Sequence, residues 1–124
     1  MISIGTDILK VERVDDVLSR LGERFVKRIL TEGEQREYRD SGQPGRLLAK
    51  RFAAKEAIAK ALGTGIGRGV SWQDIQIEHD DKGAPLVRLT GGALQVATQR
   101  GGQRVALSIA DELDYVVAFA VLDQ

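Results

Sequence analysis

The 124 residues carry 18 Lys/Arg against 18 Asp/Glu and 43% hydrophobic side chains, a balance that suits one globular domain over residues 1–124 and excludes a disordered chain. With no cysteine there is neither a disulfide framework nor a thiolate metal site, so a bound metal has to be a hard cation on oxygen ligands or involve the single His79. Residues 1–62 hold 13 Lys/Arg against 10 Asp/Glu and residues 63–124 hold 5 against 8, and this mild asymmetry, with 5% aromatics, lacks the interleaved basic stripe of a nucleic-acid binder.

In chain order, MISIGTD alternates apolar and small residues and predicts a short strand ending at Asp7. From Val11 the period becomes helical, with Val14, Leu18, Leu21 and Phe25 on one face. A second short helix is expected over Glu32–Arg39, then a turn at SGQPG, residues 41–45. A third helix runs from about Arg46 to Leu62, rich in strong helix formers, and Gly63 suits its C-terminal cap. DIQIEHD and PLVRLT, joined by DDKGA, read as a β-hairpin. GGALQVATQRGG gives a short amphipathic helix bracketed by glycines, and VALSIAD and YVVAFAVL close the chain as two strands, the last apolar on both faces and central in its sheet. The order βαααββαββ makes an α+β fold, a mostly antiparallel sheet packed against helices. No apolar run approaches the roughly 20 residues of a membrane span, and the N-terminus lacks a basic region followed by an apolar core, so a cytoplasmic protein without membrane contact is expected.

The glycine stretch GTGIGRG, residues 63–69, matches neither phosphate-loop pattern and follows a helix rather than opening one, which removes the amide cradle such loops use. It reads as a cap and flexible turn that lets the backbone pass close to something. In the preceding helix Phe52, Glu56 and Lys60 share a face, as do Arg51 and Lys55. A solvated Glu–Lys pair is one reading. Ala53, Ala54, Ala57, Ala59 and Ala61 favour another, a tightly packed helix whose carboxylate is partly buried and needs a cation. Asp7 reads either as a cap or, with Glu56, as the second oxygen ligand of Mg²⁺, which takes one or two carboxylates and completes its shell with water and phosphate oxygens. His79, between Glu78 and Asp80, reads as a surface residue and Trp72 as a packing residue.

The segments IGTDILKVERV, with Gly5, Asp7 and Arg13, then RFAAKEAIAKALGTGIG and WQDIQIEHDDKGAPLVRL resemble the holo-(acyl-carrier-protein) synthase family of phosphopantetheinyl transferases over nearly the whole chain. The resemblance implies a Mg²⁺-dependent transfer of 4′-phosphopantetheine from coenzyme A to a serine of apo acyl carrier protein, releasing adenosine 3′,5′-bisphosphate. Asp7 and Glu56 match the family's metal-binding carboxylates, and Lys60 its phosphate-facing lysine. The family forms a homotrimer with coenzyme A between neighbouring subunits, near the segments that match Gly63–Gly65 and Gly83–Pro85. Ser108, Asp111 and Tyr115 fit the pattern before and in the last strand, whereas Ala110 stands where the family usually has histidine. Glu56 and a water held by the cation are both candidates for taking the serine proton. Arg13, Arg20, Arg24 and Lys27 fall within roughly 60° of one another on a continuous helix. That stripe is either an ordinary solvated face or a docking surface for the acidic carrier. A carrier-binding module that has lost turnover is the alternative to an enzyme.

Overall fold

Alternation carries the first strand past Asp7. In the computed structural model, which describes residues 2–102 and 104–123, β1 spans Ile2–Lys10; Met1, placed in this strand by the sequence pattern, lies outside the described residues. Asp7 is therefore a mid-strand residue, paired with Ala118, and the expectation that it ends the strand is corrected. The chain continues with α1 (Val11–Leu21), α2 (Glu23–Ile29), α3 (Glu32–Asp40) and α4 (Pro44–Ala61). A 3-10 turn at Trp72–Asp74 leads into β2 (Ile75–His79), β3 (Pro85–Leu89), α5 (Gly91–Gln99), β4 (Arg104–Asp111) and β5 (Tyr115–Asp123).

The α+β class and element order agree with the sequence pattern, with the first expected helix divided in two. Gly22, at φ 58, ψ −134, ends α1 and starts α2. The glycine in LGER was the signal for this break. α4 begins two residues earlier than expected because Pro44 sits at its first turn, where a missing N–H costs nothing. α3 starts at a capping box: Thr31 Oγ1 accepts from Glu34 N while Thr31 N donates to Glu34 Oε1.

β5 is central, antiparallel to β1 and β4 in a three-stranded sheet, and β2 and β3 form a separate hairpin. Along β1, Gly5 and Leu9 turn inward, and Val116, Ala118 and Ala120 of β5 do the same. These small inward residues meet the alanines of α4. A methyl group on Gly5 would overlap the Ala57 carbonyl oxygen and lie 2.5 Å from Ala61 N and 2.9 Å from Lys60 Cβ. Strand and helix backbones therefore touch at this point, and the expected tight packing of α4 is found: Ala53, Ala54, Ala57, Ile58, Ala59 and Ala61 are all fully buried. Burial of Ile58, Leu48 or Val116 contributes about 1.5–3 kcal/mol each.

The C-terminus of α4 closes as a Schellman turn, Gly63 N donating to Lys60 O at 2.9 Å and Thr64 N to Ala59 O at 3.3 Å. Gly63, Gly65, Gly67 and Gly69 take φ of 82°, 67°, 109° and 80°, which explains glycine at every second position. No helix among the described residues is long and apolar enough to cross a membrane.

Candidate functional site

Packing of β1 on α4 at Gly5 decides where the acidic side chains go. Two residues on, Asp7 projects from the same face of β1 toward α4, and Glu56 and Lys60 stand one turn apart on the helix opposite. Lys60 Nζ donates to Asp7 Oδ1 at 3.2 Å and to Thr6 O at 3.0 Å. Asp7 keeps 16% of its side-chain surface and Lys60 half of its own. The Glu–Lys pairing of the sequence reading is thus replaced by an Asp–Lys pair across two elements.

Asp7 and Glu56 also line one hollow of about 530 Å³, with the apolar residues Leu9, Val14, Phe25, Ile29, Phe52 and Trp72 and the cations Arg13 and Arg28. Partial burial and the Asp7 charge raise the Glu56 pKa above the ordinary 4.5, and Lys60 offsets part of that rise. A glutamate whose ionisation is opposed by burial and by a second carboxylate has one obvious remedy, a cation shared between the two. The donor set is two carboxylates, all oxygen, so the residues present fit a hard divalent ion.

The remaining candidates divide. Gly63 and Gly65 follow α4 directly beyond Lys60, and Gly63 lies beneath the Arg100 guanidinium, whose Nη1 would be 2.6 Å from an added methyl. Gly83 and Pro85 belong to the β2–β3 hairpin, where Gly83 N donates to Asp80 O. Ser108 is exposed with Ala106 and Ala110 on the face of β4 turned away from α4, so within one chain it is not part of the Asp7–Lys60 cluster. Asp111 is gripped from α4: Arg46 donates to its carboxylate at 3.0 Å and Lys50 lies at 3.5 Å. Arg46 also donates to the carbonyls of Glu112 and Leu113.

The basic stripe needs correction. Arg13 and Arg20 lie on α1 whereas Arg24 and Lys27 lie on α2, so the angle argued for one continuous helix does not carry across Gly22; all four are exposed. Arg28, which the sequence reading missed, borders the hollow. Its spacing of three from Phe25 was the available signal. Trp72 packs as expected, its ring 4.9 Å from Phe52, which is 6.1 Å from Phe25. His79 is exposed, near Glu37, Lys50 and Arg51.

Residues 3–120 match the family model described as the 4′-phosphopantetheinyl transferase superfamily. A protein from Shewanella amazonensis named holo-[acyl-carrier-protein] synthase is 57% identical over 122 residues, covering 98% of each chain. The crystal structure of holo-[acyl-carrier-protein] synthase from Neisseria meningitidis superposes with a TM-score of 0.94 at 44% identity, over 100% of both chains. That of the Helicobacter pylori enzyme in complex with coenzyme A does so with a TM-score of 0.84 at 31% identity, over 97% of this chain and 99% of the other.

Proposed function

The chain belongs to the holo-[acyl-carrier-protein] synthases of the 4′-phosphopantetheinyl transferase superfamily and is an enzyme, and from that premise we propose that it moves 4′-phosphopantetheine from coenzyme A to a serine of apo acyl carrier protein with Mg²⁺, acting as a single cytoplasmic domain over residues 1–124. The serine oxygen forms a bond to the β-phosphorus of the coenzyme A pyrophosphate, the bond to the bridging oxygen breaks, and adenosine 3′,5′-bisphosphate leaves with that oxygen. The observation that carries this reading is that Asp7 and Glu56 line one hollow while Lys60, bonded to Asp7, stands beside them.

Asp7 and Glu56 are the residues that would hold the magnesium ion, which supplies, when bound, neutralisation of charge growing on the phosphoryl oxygens. Lys60, tethered by Asp7 and the Thr6 carbonyl yet half exposed, presents its ammonium to a pyrophosphate entering beside them. Glu56 binds a proton more readily than an ordinary glutamate, which suits it to receive the serine proton. Gly63, Gly65, Gly83, Pro85 and Ser108 are assigned to coenzyme A, and Arg13, Arg20, Arg24 and Lys27 to the acidic carrier. The carrier serine reaches the carboxylates along the hollow, which is lined by Arg13 and Arg28 as well as by Asp7 and Glu56.

Incubation with coenzyme A, Mg²⁺ and apo carrier protein, read by mass spectrometry of the carrier, tests the whole reading. An added phosphopantetheine mass supports it. Binding without that mass would leave only a carrier-binding module.

Assembly as a homotrimer completes the proposal. On the sheet face away from α4, Ile4, Ile8, Val117 and Phe119 are exposed, Ile8 by 67% and Phe119 by 43%, side by side in the β1–β5 register. Such a contiguous apolar face calls for a partner. It also carries Ser108, which only a neighbouring copy can bring toward another chain's Asp7 and Glu56. Ile4 is 58% exposed on this face and lies outside the hollow. Ile4→Glu is expected to give a folded monomer by light scattering that has lost most transfer activity; a trimer with full activity would refute the assignment of this face.

Charge reversal at Arg20 and Arg24 is expected to raise KM for the carrier at least tenfold at low salt and leave KM for coenzyme A within twofold. Equal losses would remove these residues from the docking surface.

Proton linkage at Glu56 gives a further expectation. Its folded pKa lies above 4.5, so the folded protein holds the proton over a window in which the unfolded chain has released it. The contribution to stability is full below 4.5 and is lost as pH rises through the folded value. Activity runs the opposite way, because the ionised carboxylate is the ligand. The acidic limb of kcat/KM is therefore expected above the ordinary glutamate range and should move down as Mg²⁺ is raised, since ion and proton compete. A limb independent of Mg²⁺ would count against Glu56 as a ligand.

A further inference from the structure

One buried charge beside the site has no part in the chemistry above. Lys55 precedes Glu56 on α4, yet its ammonium is fully enclosed and spends its three hydrogens on three acceptors: Ile29 O at 2.7 Å, Glu34 Oε1 at 2.7 Å and Trp72 O at 3.0 Å. Glu34, 1% exposed, is as fully used. Its Oε1 also accepts from Thr31 N at 2.8 Å, and its Oε2 accepts from Ile77 N at 2.9 Å with Arg51 Nε 3.7 Å away. A single ion pair thus ties together the end of α2, the start of α3, the middle of α4, the 3-10 turn and β2.

A buried ion pair is by itself weak support for stability once desolvation is counted, and this one serves the fold chiefly by partnering the Ile29 and Trp72 carbonyls and the Thr31 and Ile77 amides. What the pair adds is direction. Two of the three Lys55 acceptors are the carbonyls of Ile29 and Trp72, and both residues wall the hollow that borders Asp7 and Glu56. The Trp72 ring in turn rests on Phe52, one helical turn before Glu56 on the same face. This stretch of the wall is therefore held by hydrogen bonds to Lys55 of α4, the residue next to Glu56.

We propose that Lys55, through Glu34, Ile29 and Trp72, is a positioning residue that sets the shape of the hollow and so the seating of the acceptor protein, while leaving coenzyme A binding unaffected. This rests on the reading that the acceptor approaches along the hollow, and it adds to that reading a residue outside the reacting groups.

The test compares wild type with Lys55→Met/Glu34→Leu, which removes both charges together and leaves buried Arg51 its ion pair with Glu37 at 3.0 Å. The double variant is expected to fold cooperatively with a lowered melting temperature, because the Ile29 and Trp72 carbonyls and the Thr31 and Ile77 amides lose their partners. Its KM for apo carrier protein should rise at least tenfold, with KM for coenzyme A unchanged within twofold. Trp72 is the sole tryptophan, so its emission reports the wall directly and should shift in wavelength or intensity. A folded double variant with wild-type carrier KM and wild-type emission would overturn the proposal, since the pair would then serve stability only. Should the double variant not fold, the wild-type protein decides. Titration with apo carrier protein is expected to change Trp72 emission while coenzyme A alone does not, and carrier binding that leaves the emission unchanged overturns it. Failure of the wild-type protein to add mass to the carrier is a separate outcome, which overturns the functional reading instead.

Discussion

Glu56→Gln is expected to lower phosphopantetheine transfer about a thousandfold, some 4 kcal/mol of transition-state stabilisation, with no loss of thermal stability. The amide keeps the shape of the carboxylate but removes one of the two negative charges that would hold the cation. Folding should not suffer, because the ionised form is disfavoured in place: burial and the Asp7 charge both push the Glu56 pKa up. The melting temperature is accordingly expected at or slightly above wild type. Single-turnover transfer followed by mass spectrometry, with calorimetry on the same sample, checks both halves. Near-wild-type turnover at limiting Mg²⁺ would remove Glu56 from the metal site, and a large drop in melting temperature would mean that its role is structural. Asp7→Ala should show a similar loss of activity, although it also frees Lys60 from its partner.

Gly5→Ala is expected to damage the protein more than any other single methyl group added to β1. Its new Cβ would collide with the Ala57 carbonyl and the Ala61 amide, both backbone atoms of a helix buried on this side. A flexible side chain gives way cheaply, but backbone inside a helix does not. The cost should reach about 3 kcal/mol, or roughly 10 °C in melting temperature for a chain of this size. Activity should fall further than stability, because the strand must lift from α4 at the point from which Asp7 reaches Lys60. The informative measurement is the Mg²⁺ requirement of the protein that remains folded at low temperature, expected to rise at least tenfold. Ala57→Gly should not rescue it, since the obstruction is the carbonyl and not the methyl. A Gly5→Ala protein that melts within 2 °C of wild type would mean that the strand can shift at little cost.

Several features were legible without coordinates. α4 announced itself through helix formers and a terminal glycine, and Gly63 does close its Schellman turn. Alternation placed β2, β3, β4 and β5 within a residue or so of their observed limits, and the apolar run of the last strand correctly put it at the centre of its sheet. Other features were hidden. Asp7 was read as the end of a strand because nothing in MISIGTDILK marks where pairing stops, and pairing with β5 through Tyr115 carries β1 to Lys10. The helical period continues smoothly through Gly22, yet the chain turns there with φ at 58°. Lys55, one residue from Glu56 and apparently suited to solvent, is buried with no exposed surface because Glu34, Ile29 and Trp72 surround its ammonium.

What the amino-acid order determined by itself was local: which segments coil or extend, that Gly63 caps α4, and which residue types can bear a cation or a phosphate. Those properties depend on neighbours within a few positions along the chain. Only the tertiary structure decided that Asp7 meets Lys60 and lines one hollow with Glu56 and Trp72, and that Lys55 is enclosed while Lys60 stays half exposed. Such meetings depend on which strand lies against which helix and how closely. Here a missing methyl group at Gly5 sets that closeness, by letting two backbones come into direct contact.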